Sequence, residues 1–130
     1  MKLFPSFPIA ATRPGLSGED AALEHLRAQG LTLLSRNYRC RGGEIDLVMR
    51  TPDGTVVFVE VKERRTGTHG QGFEAVTAGK RRRLLQAAQH YASRHGLFEA
   101  ALRFDVVSVD WKDGSPNVRW DQGAFDASGR

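Results

Sequence analysis

A single cysteine, Cys40, is all this 130-residue chain contains, so no internal disulfide can form and no cysteine cluster is available for zinc. That content fits a reducing compartment, and a cytoplasmic setting is expected. Long apolar runs are also missing. Nothing approaches the roughly 18 residues a membrane span requires. The opening Met1-Lys2-Leu3-Phe4-Pro5-Ser6-Phe7-Pro8 is too broken by proline to serve as a signal-peptide core. The histidines (His25, His69, His90, His95) include no pair at the four-residue spacing that sets two imidazoles on one helical face. All of them read as surface or structural groups. Internal repeats are absent, and the length supports one core rather than two.

Charge is modestly in excess, at +4. A polyanionic partner is compatible with that balance but not demanded by it. The basic residues are clustered. Arg36, Arg39 and Arg41 come first, Lys62, Arg64 and Arg65 follow, and Lys80-Arg81-Arg82-Arg83 is unbroken. Such runs are usually solvated faces. Here they bracket two apolar segments that carry acids, which turns the reading toward phosphate binding.

Those segments are Gly43-Glu44-Ile45-Asp46-Leu47-Val48 and Val57-Phe58-Val59-Glu60-Val61-Lys62. Buried carboxylates cost several kcal/mol unless paired or bound to a metal, so charges inside β-prone runs suggest a site. Between the runs lies Thr51-Pro52-Asp53-Gly54-Thr55, a hairpin signal with Gly54 suited to positive φ. Pairing Thr51 with Thr55 places Val48 opposite Phe58, Asp46 opposite Glu60 and Glu44 opposite Lys62. Alternation then puts Glu44, Asp46, Glu60 and Lys62 on one face, and Ile45, Leu47, Met49, Val57, Val59 and Val61 on the other, a core face. Opposed carboxylates repel unless a cation lies between them, and Mg²⁺ is commonly held by one or two carboxylates with water and phosphate. The plainer alternative is a solvated hairpin face with a Glu44–Lys62 cross-strand pair.

Residues 1–15, with three prolines, read as a flexible arm. Ser17-Gly18-Glu19-Asp20 opens a helix with the pattern of a capping box, stopping at Gly30. Its stripe is Ala22, Leu23 and Leu26, and Glu19 lies on that buried side. Glu19 either serves the helix dipole or leans toward Asp46 and Glu60. Leu31 to about Tyr38 is a first strand, and Gly42-Gly43 a turn. A polar loop is expected from Glu63 to Gly72, with Glu74-Ala75-Val76 as a helix start or separate turn. A second helix runs from about Thr77 to His95, with Lys80 and Arg81 in its phosphate-favouring first turns. A strand over Leu102–Val109 and a return through Val118-Arg119-Trp120 complete one domain at 16–122, leaving 123–130 as a frayed tail. The order αβββαβ with an extra terminal strand is an α/β fold, a mixed sheet with helices packed on it.

This arrangement of motifs resembles the PD-(D/E)XK nuclease superfamily, and more closely the YraN-like family related to archaeal Holliday junction resolvases. The resemblance rests on Gly43-Glu44-Ile45-Asp46-Leu47-Val48, Phe58-Val59-Glu60-Val61-Lys62, Gly18-Glu19-Asp20, Arg36-Asn37-Tyr38-Arg39, Glu74-Ala75-Val76 with Lys80, and Arg103-Phe104-Asp105-Val106-Val107. It covers roughly residues 15 to 110. It implies a restriction-endonuclease-like core in which Asp46 and Glu60 ligate Mg²⁺, with the Val61 carbonyl as a third ligand. Lys62 would orient or deprotonate the attacking water, and Glu19 would complete the site. Mn²⁺ is an expected substitute. The chemistry is consistent with the residues themselves, since phosphodiester hydrolysis needs an activated water and positive charge where it builds on phosphorus.

A DNA endonuclease is therefore expected, with branched DNA as the first substrate by analogy. Arg39, Arg41, Arg64, Arg65, Lys80 and Arg81 would hold the phosphate backbone. A homodimer would suit two symmetric cuts. A module of the same fold that binds nucleic acid with little or no catalysis is the alternative. An enzyme of another substrate class would leave the arginines unexplained.

Overall fold

Ser17 starts the first helix as its sequence predicts. Its hydroxyl accepts the Asp20 N–H at 3.0 Å and Asp20 returns the bond to the Ser17 N–H at 3.1 Å, a reciprocal capping box. A computed structural model of the chain describes residues 16–65 and 77–126. In it α1 spans Gly18–Ala28, β1 Thr32–Cys40, β2 Gly43–Arg50, β3 Val56–Arg65, α2 Ala78–Arg94, β4 Leu102–Lys112 and β5 Ser115–Phe125. Gly30 has φ 96°, the left-handed turn that ends α1. Thr77 caps α2 by accepting the Lys80 N–H. Among the described residues, no helix is long and apolar enough to cross a membrane.

The strands form one mixed sheet in the order β1-β2-β3-β4-β5. The β3–β4 pair is parallel and the other pairs are antiparallel. The two helices flank the sheet, so the architecture matches the expected restriction-endonuclease-like core with its extra C-terminal strand. The β2–β3 turn also forms as read, with Gly54 at φ 96° and Thr51 N–H bonded to the Thr55 carbonyl.

Burial corrects the expectation of a single core face. On one side Leu47, Met49, Val57, Val59, Val107 and Val109 pack under Ala22, Leu23 and Leu26 of α1. On the other Ile45, Val48, Val56, Phe58, Phe104 and Val106 pack under Leu84, Ala87, Ala88 and Tyr91 of α2. A parallel crossover through α2 requires this, because it lays a helix over the second face. Ile45 thus parts from Leu47 and Met49, its expected face-mates. Asn37 lies between the β1–β2 pairs Arg36↔Leu47 and Tyr38↔Ile45, and its φ of 55° marks a sharp local twist where alternation fails. α2 comes so close to β2 that a Cβ on Gly43 would lie 2.2 Å from the Arg83 carbonyl oxygen.

Three boundaries move. β3 continues to Arg65 where a loop was expected from Glu63, and β4 continues to Lys112. β5 runs to Phe125, so residues 123 to 125 belong to the sheet rather than to a frayed tail. The cause of the last is Asp105, wholly buried at the irregularity between Phe104 and Val106. Its carboxylate accepts Arg103 Nε and Nη2 at 2.9 Å each, Trp120 Nε1 at 2.8 Å and the Gly123 N–H at 3.0 Å. Phe125 then stacks on Phe104 with centroids 5.3 Å apart. The expected arm at 1–15, the turn at Glu74–Val76 and the tail from 127 lie outside the described residues, as does most of the expected loop.

Removing the buried Asp105 carboxylate takes the acceptor from Trp120 Nε1 and the Gly123 N–H as well as the partner from Arg103. Asp105→Ala is expected to cost about 3–5 kcal/mol, read as a lowered urea midpoint.

Candidate active site

The β2–β3 ladder keeps its predicted register through Arg50↔Val56, Met49↔Val57, Val48↔Phe58 and Leu47↔Val59. Beyond Leu47 the backbones separate. The expected Asp46–Glu60 and Glu44–Lys62 pairs are not ladder pairs; Asp46 Oδ2 instead accepts the Val61 N–H at 2.8 Å. Glu44 turns to β1, its carboxylate 3.7 Å from Arg39 Nε. The pleated pairing is thereby replaced, at its open end, by a carboxylate held between two strands.

Asp46 and Glu60 are both half-buried, and Glu60 senses the charge of Asp46. Burial, reinforced by Asp46, pushes the Glu60 carboxyl up to about 7, against the opposing pull of Lys80 and Lys62. Asp46 is also raised, first by burial and further by Glu19 and Glu44, while the Val61 N–H and Lys80 restrain the shift. Desolvation and a like charge act in one direction on both acids. The structure therefore brings together Asp46, Glu60, Lys62 and Lys80.

Glu19 comes near but is engaged elsewhere. Its Oε1 accepts Arg36 Nε at 2.7 Å and Asn37 Nδ2 at 3.0 Å, while Arg36 Nη2 donates to Asp20 Oδ1 at 2.7 Å. The Arg36 guanidinium, and after it the cap bond from the Ser17 N–H, lower the Asp20 carboxyl to about 2. α1 can start this close to β3 because residue 18 is glycine. A Cβ there would fall 2.7 Å from Glu63 Cδ.

The remaining predicted contacts divide. Lys80, Arg39 and Arg41 are exposed. Arg64 Nε sits 3.1 Å from Asp110, on the face of Glu60 and Lys62. Arg65 belongs to the opposite face, paired with Glu63 at 2.9 Å and lying 4.9 Å from the Trp111 ring centre. Arg81 lies over the Phe125 ring at 5.7 Å, toward β5. The arginines thus do not form one patch.

Among the described residues, no three His, Cys, Asp or Glu side chains converge as a metal-holding group. A closed cation cage is not built. Two desolvated carboxylates fit the other pattern, an open site for a hard divalent cation that fills its shell with water and substrate oxygen. Sequence reading missed Asn37 as an anchor of Glu19, and it missed Ser108. The Ser108 hydroxyl is buried without a hydrogen-bond partner, and Ser108 is the β4 ladder partner of Lys62. A lone hydroxyl in the apolar run Val106-Val107-Ser108-Val109 was the available signal.

Residues 18–109 match the model of the uncharacterised protein family UPF0102. The chain belongs to this family. UPF0102 is the YraN-like family that the sequence motifs resemble, and the match takes in Glu19, Asp46, Glu60, Lys62 and Lys80. A UPF0102 protein of Cupriavidus pinatubonensis is 45% identical over 95% of this chain and 94% of its own length. One from Cupriavidus taiwanensis is 49% identical over 87% and 82%, and one from Chromohalobacter salexigens 48% over 88% and 92%. Among solved structures, Pyrococcus furiosus SfsA in complex with Ca²⁺ overlaps 80% of this chain and 60% of its own, at 11% identity. Its TM-score of 0.37 is too low to bear on fold or chemistry.

The Glu60 shift has a definite sign for stability. A carboxyl raised from 4.5 to about 7 binds its proton more tightly folded than unfolded. Its stabilising contribution is complete below about pH 4.5 and lost as pH rises through about 7. In EDTA, Glu60→Gln is expected to match the parent at about pH 4 and exceed it at about pH 8 by on the order of 3 kcal/mol. Urea midpoints at the two pH values check this.

Proposed function

We propose that this UPF0102 protein is a metal-dependent endonuclease of the PD-(D/E)XK superfamily, hydrolysing phosphodiester bonds in DNA, with branched, Holliday-junction-like DNA as its substrate. The observation that carries the reading is the Asp46–Glu60 pair, two desolvated carboxylates with raised proton affinity beside Lys62 and Lys80 where β2 and β3 part. Such perturbed groups concentrate at functional sites, and the family resemblance gives each a role.

Asp46, Glu60 and the Val61 carbonyl would hold Mg²⁺ or Mn²⁺, with Glu19 as a further carboxylate within the neighbourhood. When bound, the cation neutralises charge on the scissile phosphate and lowers the pKa of a water. The Val61 N–H fixes one Asp46 oxygen, and the other has lone pairs to offer a cation. Lys62 orients the attacking water or takes its proton, and its charge opposes the negative charge that builds on phosphorus. Lys80, in the first turn of α2, receives phosphate where the helix N-terminus favours it. Arg39 and Arg41 are exposed to a backbone, while Arg64 and Arg81 would exchange their present contacts for phosphate. Arg65, on the opposite face, serves such contacts least well. Two symmetric cuts in a junction call for a two-fold homodimer, and a cytoplasmic site of action suits the single cysteine.

A second reading, a nucleic-acid-binding module of this fold with weak or absent catalysis, is favoured by one observation. Glu19 is tied to Arg36 and Asn37 rather than gathered with Asp46 and Glu60.

Labelled four-way junction, flap, single-stranded and duplex DNA, incubated with Mg²⁺, Mn²⁺ or EDTA, separate the two. The expected outcome is metal-dependent cutting of branched DNA, reduced at least about 100-fold by Asp46→Ala or Lys62→Ala with junction binding retained. Tight binding by folded protein with no cutting in any metal would leave the binding module. Absence of affinity for every nucleic acid at low salt would remove both.

A further inference from the structure

α2 is 17 residues long and carries Lys80, Arg81, Arg82, Arg83 and Arg94 without one Asp or Glu. Beside it, away from the carboxylate pair, runs a groove of about 1170 Å³ between the helix and the outer strands β4 and β5. Its floor is apolar, made by Leu85 and Ala88 of α2 with Phe104 and Phe125 of the sheet. Its rim is polar, with Arg82, Gln89 and Ser93 spaced along one side of the helix. At its lip stands Phe98, a ring 77% exposed in the turn between α2 and β4.

An exposed aromatic stands beside an apolar trough whose helix-side rim carries Arg82, and the charge of α2 as a whole decides which occupant suits it. A second copy docked two-fold through this groove would bring α2 against its twin, placing two helices without an acidic residue together. A polyanion meets the same surface with complementary charge. Of the other charged groups in the lining, Arg103 is already matched by Asp105 and Asp126 is acidic, so the attraction comes from the helix side. Duplex DNA keeps its bases stacked inside and offers Phe98 nothing to stack on. Unpaired bases present their faces to aromatic rings and apolar floors, and backbone to basic rims.

We propose that the groove between α2 and the β4–β5 edge is a single-stranded nucleic-acid subsite, in which Phe98 stacks a base and Arg82 takes a backbone phosphate. The proposal rests on the reading of the carboxylate site as one that acts on nucleic acid. It adds that the substrate carries unpaired nucleotides next to the cut. Gln89 lies about 13 Å along the helix axis from Lys80, at 1.5 Å per residue, so a strand leaving the cleft reaches the groove within a few nucleotides.

The test is fluorescence anisotropy of the full chain at low salt in EDTA, with labelled oligothymidylate and labelled blunt duplex. Phe98→Ala is expected to weaken oligothymidylate binding about 10-fold, the loss of one base–ring stack, and to leave duplex binding within about twofold. Phe98→Trp is expected to keep the single-strand affinity and to have its indole fluorescence quenched by oligothymidylate. Equal losses on both probes, or none on either, would overturn the subsite. So would a dimer in sedimentation that Phe98→Ala dissociates, which would mark the groove as an interface between copies. Duplex binding without oligothymidylate binding by the parent would end this proposal and leave the nuclease reading standing. No binding to either probe, nor to a four-way junction, would end both.

Discussion

Asp46 Oδ2 accepts the Val61 N–H at 2.8 Å, and that bond sets where the β2–β3 ladder stops. A strand N–H at the end of a ladder must find another acceptor or lose its hydration uncompensated. Here a side chain supplies the acceptor, so β2 and β3 can separate without leaving a backbone donor orphaned. Past that point Glu60 and Lys62 have no ladder partner on β2. β3 meanwhile stays paired with β4 from Val56↔Leu102 through Arg65↔Trp111, so the strand that bears Glu60 and Lys62 is held along its other edge.

The same bond constrains the electrostatics. It favours the charged form of Asp46, yet burial still raises that carboxyl, and Glu60 beside it rises to about 7. The charge of Asp46 is felt as added proton affinity at Glu60, while Glu19 and Glu44 act in the same sense on Asp46. Both acids are half-buried, and α2 delivers Lys80, whose charge offsets part of the repulsion. Close packing of α2 on Gly43 is therefore linked to the electrostatics of Asp46 on the same strand and Glu60 on the next.

Local patterns were legible in the sequence where one physical rule acted alone. The Ser17–Asp20 cap, the Gly54 turn and the register from Val48↔Phe58 all followed from turn chemistry and alternation. Extrapolating that register to Asp46 and Glu60 met a competing demand, the hydrogen bond to Val61, which no alternation rule contains. Ile45 was misplaced because alternation along β2 breaks between it and Leu47, opposite the positive φ of Asn37. The C-terminal end of β5 was invisible for a related reason. Small, polar residues after Trp120 look frayed until the buried carboxylate of Asp105, distant in sequence, takes the Gly123 N–H.

Glu19 shows how charge apportions carboxylates between sites. Its presence already raises Asp46, so moving it closer adds repulsion to a pair that is largely desolvated. Arg36 offers the opposite, a guanidinium 2.7 Å from Glu19 Oε1 that also binds Asp20, with Asn37 as a second donor. A guanidinium bridging two carboxylates has its charge well satisfied, and both acids stay at the helix N-terminus where the dipole favours them. For Glu19 to join Asp46 and Glu60, positive charge between the three must outweigh what Arg36, Asn37 and the helix together provide. The position of Glu19 is thus set by a competition between cations rather than by the reach of its side chain.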